Sequence, residues 1–146
     1  MWFSKKKTDT ASGAVSKAQS TTKAVGDAAE SRALAHLCAA DLTLLVANYR
    51  TPGRGGGEID LIMQDTDGTL VFIEVRQRAS QSYGGAGASI SAAKQRRIVF
   101  AARHYLMRFK SAPPCRFDVV LMHDGQGAGQ APTIEWLRGA FDAGRP

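Results

Sequence analysis

Gly57-Glu58-Ile59-Asp60-Leu61-Ile62-Met63, the turn Asp65-Thr66-Asp67-Gly68-Thr69, and Leu70-Val71-Phe72-Ile73-Glu74-Val75-Arg76 decide how this chain folds. In the first run Ile59, Leu61 and Met63 alternate with Glu58, Asp60, Ile62 and Gln64. In the second, Val71, Ile73 and Val75 alternate with Leu70, Phe72, Glu74 and Arg76. A period of two marks a strand, and Asp-Gly turn chemistry between two such runs predicts an antiparallel hairpin. With Met63 facing Val71, Asp60 stands opposite Glu74 and Glu58 opposite Arg76. Directly opposed residues share a face, their Cβ atoms roughly 4.5–5.5 Å apart. Two carboxylates then converge on one spot, which destabilises a sheet unless positive charge sits between them. A hard divalent cation, Mg²⁺ or Mn²⁺, is one such occupant; a solvated sheet face on which the acids pair with Arg76 or Arg78 is the alternative.

The flanking segments supply more strands and two helices. Ala33, Leu34, Leu37 and Cys38 recur at helical spacing from Ala24 to about Ala40, and Glu30 falls on the same inward face. Glu30 either favours the positive end of that helix or reaches the Asp60 and Glu74 site as a third carboxylate. Leu42 to Tyr49 reads as a strand. Arg50 to Gly57, with Pro52 and its glycines, reads as a mobile loop that carries Arg54 towards the carboxylates. Ala79 to Ala88, containing Tyr83, is a second glycine-rich loop, either a plain connection or a flap over a ligand.

The next helix is the clearest in the chain. Ile98, Ala101, Ala102, Tyr105, Leu106 and Phe109 form one apolar stripe, Ser89 or Ser91 can cap it, and Lys94 precedes Ile98 by one turn and so points inward. Pro113-Pro114 ends it. Phe117 to Met122 and Thr133 to Leu137 are strands separated by a glycine-rich loop from Asp124 to Gln130. Asp118 reads as structural, the ion-pair partner of an arginine. The expected class is α/β in the order α-β-β-β-α-β-β, with residues 1–23 a disordered basic tail and 24–146 one domain.

The net charge of +6 is unevenly placed. The tail holds five lysines against Asp9 alone, and from Val75 to Phe117 there are nine bases and no acid. A segment so one-sided beside an acidic hairpin suits a polyanion, and Arg54, Arg78, Arg96 and Arg97 are its candidate contacts. Other chemistries fit poorly. His36, His104 and His123 lack zinc spacing, no serine sits in a nucleophile elbow, and Gly53-Arg54-Gly55-Gly56-Gly57 leads into a strand where a phosphate-cradling loop opens a helix. Cys38 and Cys115 read as small core residues in a reducing cytoplasm. No apolar run approaches a membrane span and no secretory signal opens the chain, so the expected location is cytoplasmic.

Glu30, Gly57-Glu58-Ile59-Asp60-Leu61-Ile62, Phe72-Ile73-Glu74-Val75-Arg76, Lys94, Arg116-Phe117-Asp118-Val119-Val120 and the closing Ala140-Phe141 together resemble the YraN-like family of small bacterial proteins. The resemblance covers roughly Lys23 to Phe141. That family is similar to the restriction-endonuclease-like fold of the PD-(D/E)XK nucleases and to archaeal Holliday-junction resolvases. The resemblance implies a mixed central sheet flanked by helices, an endonuclease activity on DNA phosphodiesters, branched DNA included, and Glu30, Asp60 and Glu74 as ligands of Mg²⁺ or Mn²⁺. Arg76 stands where the superfamily has lysine. A guanidinium stabilises phosphate charge but does not give up a proton, so Arg76 is no base. Lys94 is the candidate replacement, and Glu30, Asp60, Glu74, Arg76 and Lys94 form the expected catalytic set. In the alternative, Arg76 pairs with Glu58 and the protein binds nucleic acid with weak or no turnover. A homodimer suits an enzyme that cuts both strands of a branch, although no residue marks a dimer face.

Overall fold

The computed structural model describes residues 17–78, 90–123, 129 and 131–143, with side chains from residue 27 onward except that of residue 78. The expected basic tail before residue 17, the loop containing Tyr83, and most of the loop from Asp124 to Gln130 lie outside the described residues. The elements are α1 (Lys17–Ala39), β1 (Thr43–Arg50), β2 (Glu58–Gln64), β3 (Leu70–Arg78), α2 (Ala92–Leu106), β4 (Cys115–His123) and β5 (Thr133–Phe141). This is the expected mixed α/β order. The five strands lie in the sheet as β1-β2-β3-β4-β5, antiparallel except for β3 and β4, which run parallel across the α2 crossover.

The hairpin forms in the expected register, Met63 opposite Val71 and Leu61 opposite Ile73. Its turn is held by Gly68 N–H donating to the Asp65 carbonyl at 3.0 Å and by the Asp67 carboxylate accepting from Thr69 N–H at 3.0 Å. Gly68 has φ +91°, a left-handed position that glycine adopts without steric cost.

Alternation then sorts the core. Leu61, Met63, Val71, Ile73, Val120 and Met122 face Ala29, Ala33 and Leu37 of α1, whereas Ile62, Leu70, Phe72 and Phe117 face Ile98, Ala101, Ala102 and Tyr105 of α2. One residue breaks the pattern. Ile59 packs with its β1 partner Tyr49 and the α2 set, not with Leu61 and Met63, and the neighbouring Asn48 of β1 is left-handed at φ +56°.

The alanine-rich α1 starts at Lys17, within the stretch assigned to the tail, and stops where Leu42 N–H donates to the Leu37 carbonyl at 3.1 Å, with Asp41 left-handed at φ +74°. Buried Leu42 completes this helix-ending motif. α2 begins at Ser91, whose hydroxyl accepts from Lys94 N–H at 3.1 Å. It ends at Leu106, short of the expected end: Phe109 lies past the helix and packs edge-on against Tyr105. Both cysteines are exposed, contrary to expectation. Cys38 follows Leu37 and is therefore rotated about 100° off the buried face of α1, and Cys115 sits at the outer end of β4.

The β1–β2 loop closes on itself and on α2. Gly57 N–H donates to Thr51 Oγ1 at 2.8 Å, and Thr51 N–H donates to the Gly57 carbonyl at 3.0 Å. A Cβ on Gly57 would overlap the carbonyl oxygen of Arg97 and lie 2.9 Å from its carbon, both atoms of the α2 backbone. Only glycine allows this approach. Gly57→Ala is expected to destabilise the protein by about 1–3 kcal/mol, the usual result of overpacking, read as a lower midpoint in urea.

Candidate functional site

Asp60 and Glu74 come together where the β2–β3 ladder ends. Past Leu61 and Ile73 the Asp60 side chain replaces the ladder, its Oδ2 accepting from Val75 N–H at 2.8 Å. Glu74 is buried, with 8% of its surface exposed, and its Oε2 lies 3.5 Å from Lys94 Nζ. Lys94 therefore points inward from the first turn of α2, as its position in the apolar stripe predicts.

The two carboxyls share one environment and hydrogen-bond to each other. Burial first, then the Asp60 charge, pushes the Glu74 carboxyl up to about 7, while Lys94 opposes the shift. Asp60 is also raised by burial, against its hydrogen bond from Val75 and the attraction of Lys94. In its protonated form Glu74 donates to Asp60, and the two carboxyls titrate as a unit.

Because the folded protein keeps protons that an unfolded chain releases, this pair's contribution to stability is complete below about pH 4.5 and is lost as pH rises through about 7. Glu74→Gln, which keeps a donor for Asp60 without the charge, should flatten that decline and raise stability at pH 8 by roughly 1–3 kcal/mol. Unfolding midpoints of both proteins at pH 5 and pH 8 measure the difference. A wild-type decline that persists unchanged in the variant would contradict this origin.

Glu30 stands apart from the pair. It is half-buried on the flank of α1, well past the first turn of a helix that starts at Lys17, so an interaction with the helix end does not explain it. Burial and then the Asp60 charge raise its pKa, and the Asn48 side chain hydrogen-bonds to it. Asn48 itself is left-handed at φ +56° in β1. Glu30 thus feels the Asp60 charge, yet among the described residues no three His, Cys, Asp or Glu side chains gather closely enough to hold one ion. The expected three-carboxylate cluster is instead a pair with an outlying third acid.

Glu58 does not pair with Arg76. The β2–β3 register stops short of them, and Glu58 lies 3.4 Å from Arg50 on the neighbouring strand. Arg76 is half-buried with no ion-pair partner among the described residues, and it lines a cleft of about 420 Å³ together with Glu74, Lys94 and Arg97. A second cleft, of about 360 Å³, lies between Arg50, Glu58, the glycine-rich β1–β2 loop and the same Lys94 and Arg97. Lys94 and Arg97 are common to the two hollows. Arg50 was absent from the expected contacts; its closeness to the site follows from the Arg50–Glu58 strand register. Arg54 and Arg96 are exposed, Arg54 outside either lining, and the side chain of Arg78 lies outside the description.

The model of the uncharacterised protein family UPF0102 matches residues 29–122, a span containing Glu30, the hairpin, α2 and most of β4. The chain belongs to that family. Among UPF0102 proteins, that of Polaromonas naphthalenivorans is 64% identical over 152 aligned positions, covering 98% of this chain and 99% of its own. That of Paracidovorax citrulli is 65% identical over 144, covering 99% and 100%. That of Methylibium petroleiphilum is 60% identical over 126, covering 84% of this chain and 98% of its own. Among the described residues of this UPF0102 protein no helix is long and apolar enough to cross a membrane.

Proposed function

We propose that this protein is a metal-dependent endonuclease of the restriction-endonuclease-like fold, acting on DNA phosphodiester bonds in the cytoplasm. One observation carries the proposal: the half-buried Asp60 and buried Glu74 carboxyls meet beside Lys94, between hollows bordered by Arg50, Arg76 and Arg97. Like-charged acids held this close in a core are costly for structure alone, and strong perturbation in a cleft is a mark of function.

The donor set suits a hard ion. Mg²⁺ is bound by one or two carboxylates, substrate phosphate and several waters, so Asp60 and Glu74 are sufficient protein ligands. When bound, the ion would polarise the phosphate and make a coordinated water more acidic. The protein's own residues do the rest. The Val75 N–H fixes the Asp60 carboxylate. Lys94, held at the first turn of α2 by the Ser91 cap, sets an ammonium beside Glu74 where a phosphate would approach. Arg76 and Arg97 add donors for phosphate oxygens on one side, and Arg50 on the other. A guanidinium is no base, so proton acceptance falls to a carboxylate or to bulk water.

Calorimetric titration with Mn²⁺ at pH 8 tests the ligand assignment: saturable binding that disappears in Asp60→Ala is expected, and undiminished binding in that variant would refute it. Lys94→Met should lower metal-dependent cleavage by about 10²- to 10³-fold, as removal of a transition-state donor does, while metal binding persists. Equal cleavage by Lys94→Met and wild type would remove Lys94 from the mechanism.

A further inference from the structure

α2 carries a second stripe, opposite its buried one. Arg96, Phe100, Arg103 and Met107 recur at spacings of four, three and four residues and so share one face. That face is turned away from Ile98, Ala101, Ala102 and Tyr105 in the core. Phe100 is 53% exposed and Met107 77% exposed, and among the described residues the Phe100 ring stacks on no other ring. A large aromatic held outward between two arginines is not explained by packing.

The charge around it narrows the occupant. α2 contains Lys94, Arg96, Arg97 and Arg103 and no acid, so two copies meeting symmetrically through this face would set arginine against arginine. A polyanion is favoured instead. The stripe flanks the site: Arg97, which lines both hollows with Lys94, lies about 100° round the helix from Arg96.

We infer that the outward face of α2 is a stacking platform for an unpaired polynucleotide strand, with a base lying on Phe100 and phosphates on Arg96 and Arg103. A base inside a duplex has both faces covered, whereas an unpaired base offers an open face to an exposed ring whatever its identity. The inference rests on the nuclease proposal for its substrate class: the DNA cut at Asp60 and Glu74 would carry unpaired nucleotides beside the bond broken, as at a flap or an open branch. The platform itself does not require turnover.

Fluorescence anisotropy in EDTA, with a labelled single strand and a duplex of equal length, tests it on the full chain. Phe100→Ala should weaken single-strand binding about 5- to 100-fold, the loss typical of one stacked base, and duplex binding by less than about 2-fold. Phe100→Trp should restore strand binding, and unchanged melting of both variants would show that folding is intact. Equal loss on strand and duplex, or no loss on either, overturns the platform. So does a dimer that dissolves in Phe100→Ala while strand binding is unchanged, since the face would then belong to a second copy. Strand binding that depends on Phe100 in a protein that cleaves nothing with any metal would keep the platform and remove the nuclease; metal-dependent cleavage by a protein whose strand binding is indifferent to Phe100 would do the reverse.

Discussion

Asp60→Asn is expected to abolish metal-dependent cleavage, a loss of at least about 100-fold, while leaving the protein as stable as wild type or more so at pH 8. The amide oxygen of asparagine can still accept from Val75 N–H, the bond that ties the start of β2 to β3. What disappears is a negative charge beside Glu74. Without it Glu74 ionises more readily and pairs with Lys94 alone, 3.5 Å away. Loss of activity with stability kept or gained is the behaviour of a site whose charges are held against their own repulsion. An Asp60→Asn protein that is inactive only because it melts lower would mark Asp60 as structural.

The largest effect on stability is expected at Asp118, away from that pair. Its carboxylate is fully buried in β4 and accepts from Arg116 Nε at 3.1 and 3.2 Å, Trp136 Nε1 at 2.9 Å and Gly139 N–H at 2.9 Å. The β4–β5 register shifts between Phe117 and Val119, and the carboxylate fills the gap with side-chain bonds to β5. Arg116 extends the network to Asp65 at 2.9 Å in the hairpin turn. Asp118→Ala leaves Arg116 with Asp65 alone, and takes the acceptor from the part-buried Trp136 and Gly139 donors. The cost should be about 3–5 kcal/mol, or roughly 10–20 °C in Tm. Asp118→Asn, which keeps one acceptor oxygen, should lose less. A loss below about 1 kcal/mol in the alanine variant would show that water replaces the carboxylate.

How much of this was legible in the sequence depended on range. The hairpin register from Leu61 to Gln64, the two faces of the sheet and the inward Lys94 follow from periods of two and of about 3.6 and from one turn, all local rules; Asp60 and Glu74 meet just past the last paired residues. Asp118 could be recognised as an arginine's partner for the same reason, since Arg116 lies two residues away. Its bonds to Trp136 and Gly139 could not, because they depend on how β5 registers against β4. Glu30 shows the same limit. Its face on α1 was readable, but its distance from the pair depends on how far along the sheet α1 sits. Glu58 met Arg50 rather than Arg76 because the strand pairing ends at Leu61, which alternation alone does not announce. Phe100 and Met107 were open to detection as large apolar residues off the buried stripe of α2, a signal that attention to the core passes over.

The most direct test of the proposed nuclease is cleavage of labelled linear duplex, single strand, flap and four-way junction by the wild-type protein with Mg²⁺ or Mn²⁺, with EDTA and Asp60→Asn as controls. Cleavage of at least one substrate that needs the ion and vanishes in both controls is the predicted result. Folded protein that binds these nucleic acids and cuts none of them with either ion would contradict it, and would leave Arg76 as the mark of a binding protein that keeps the carboxylate pair without the reaction.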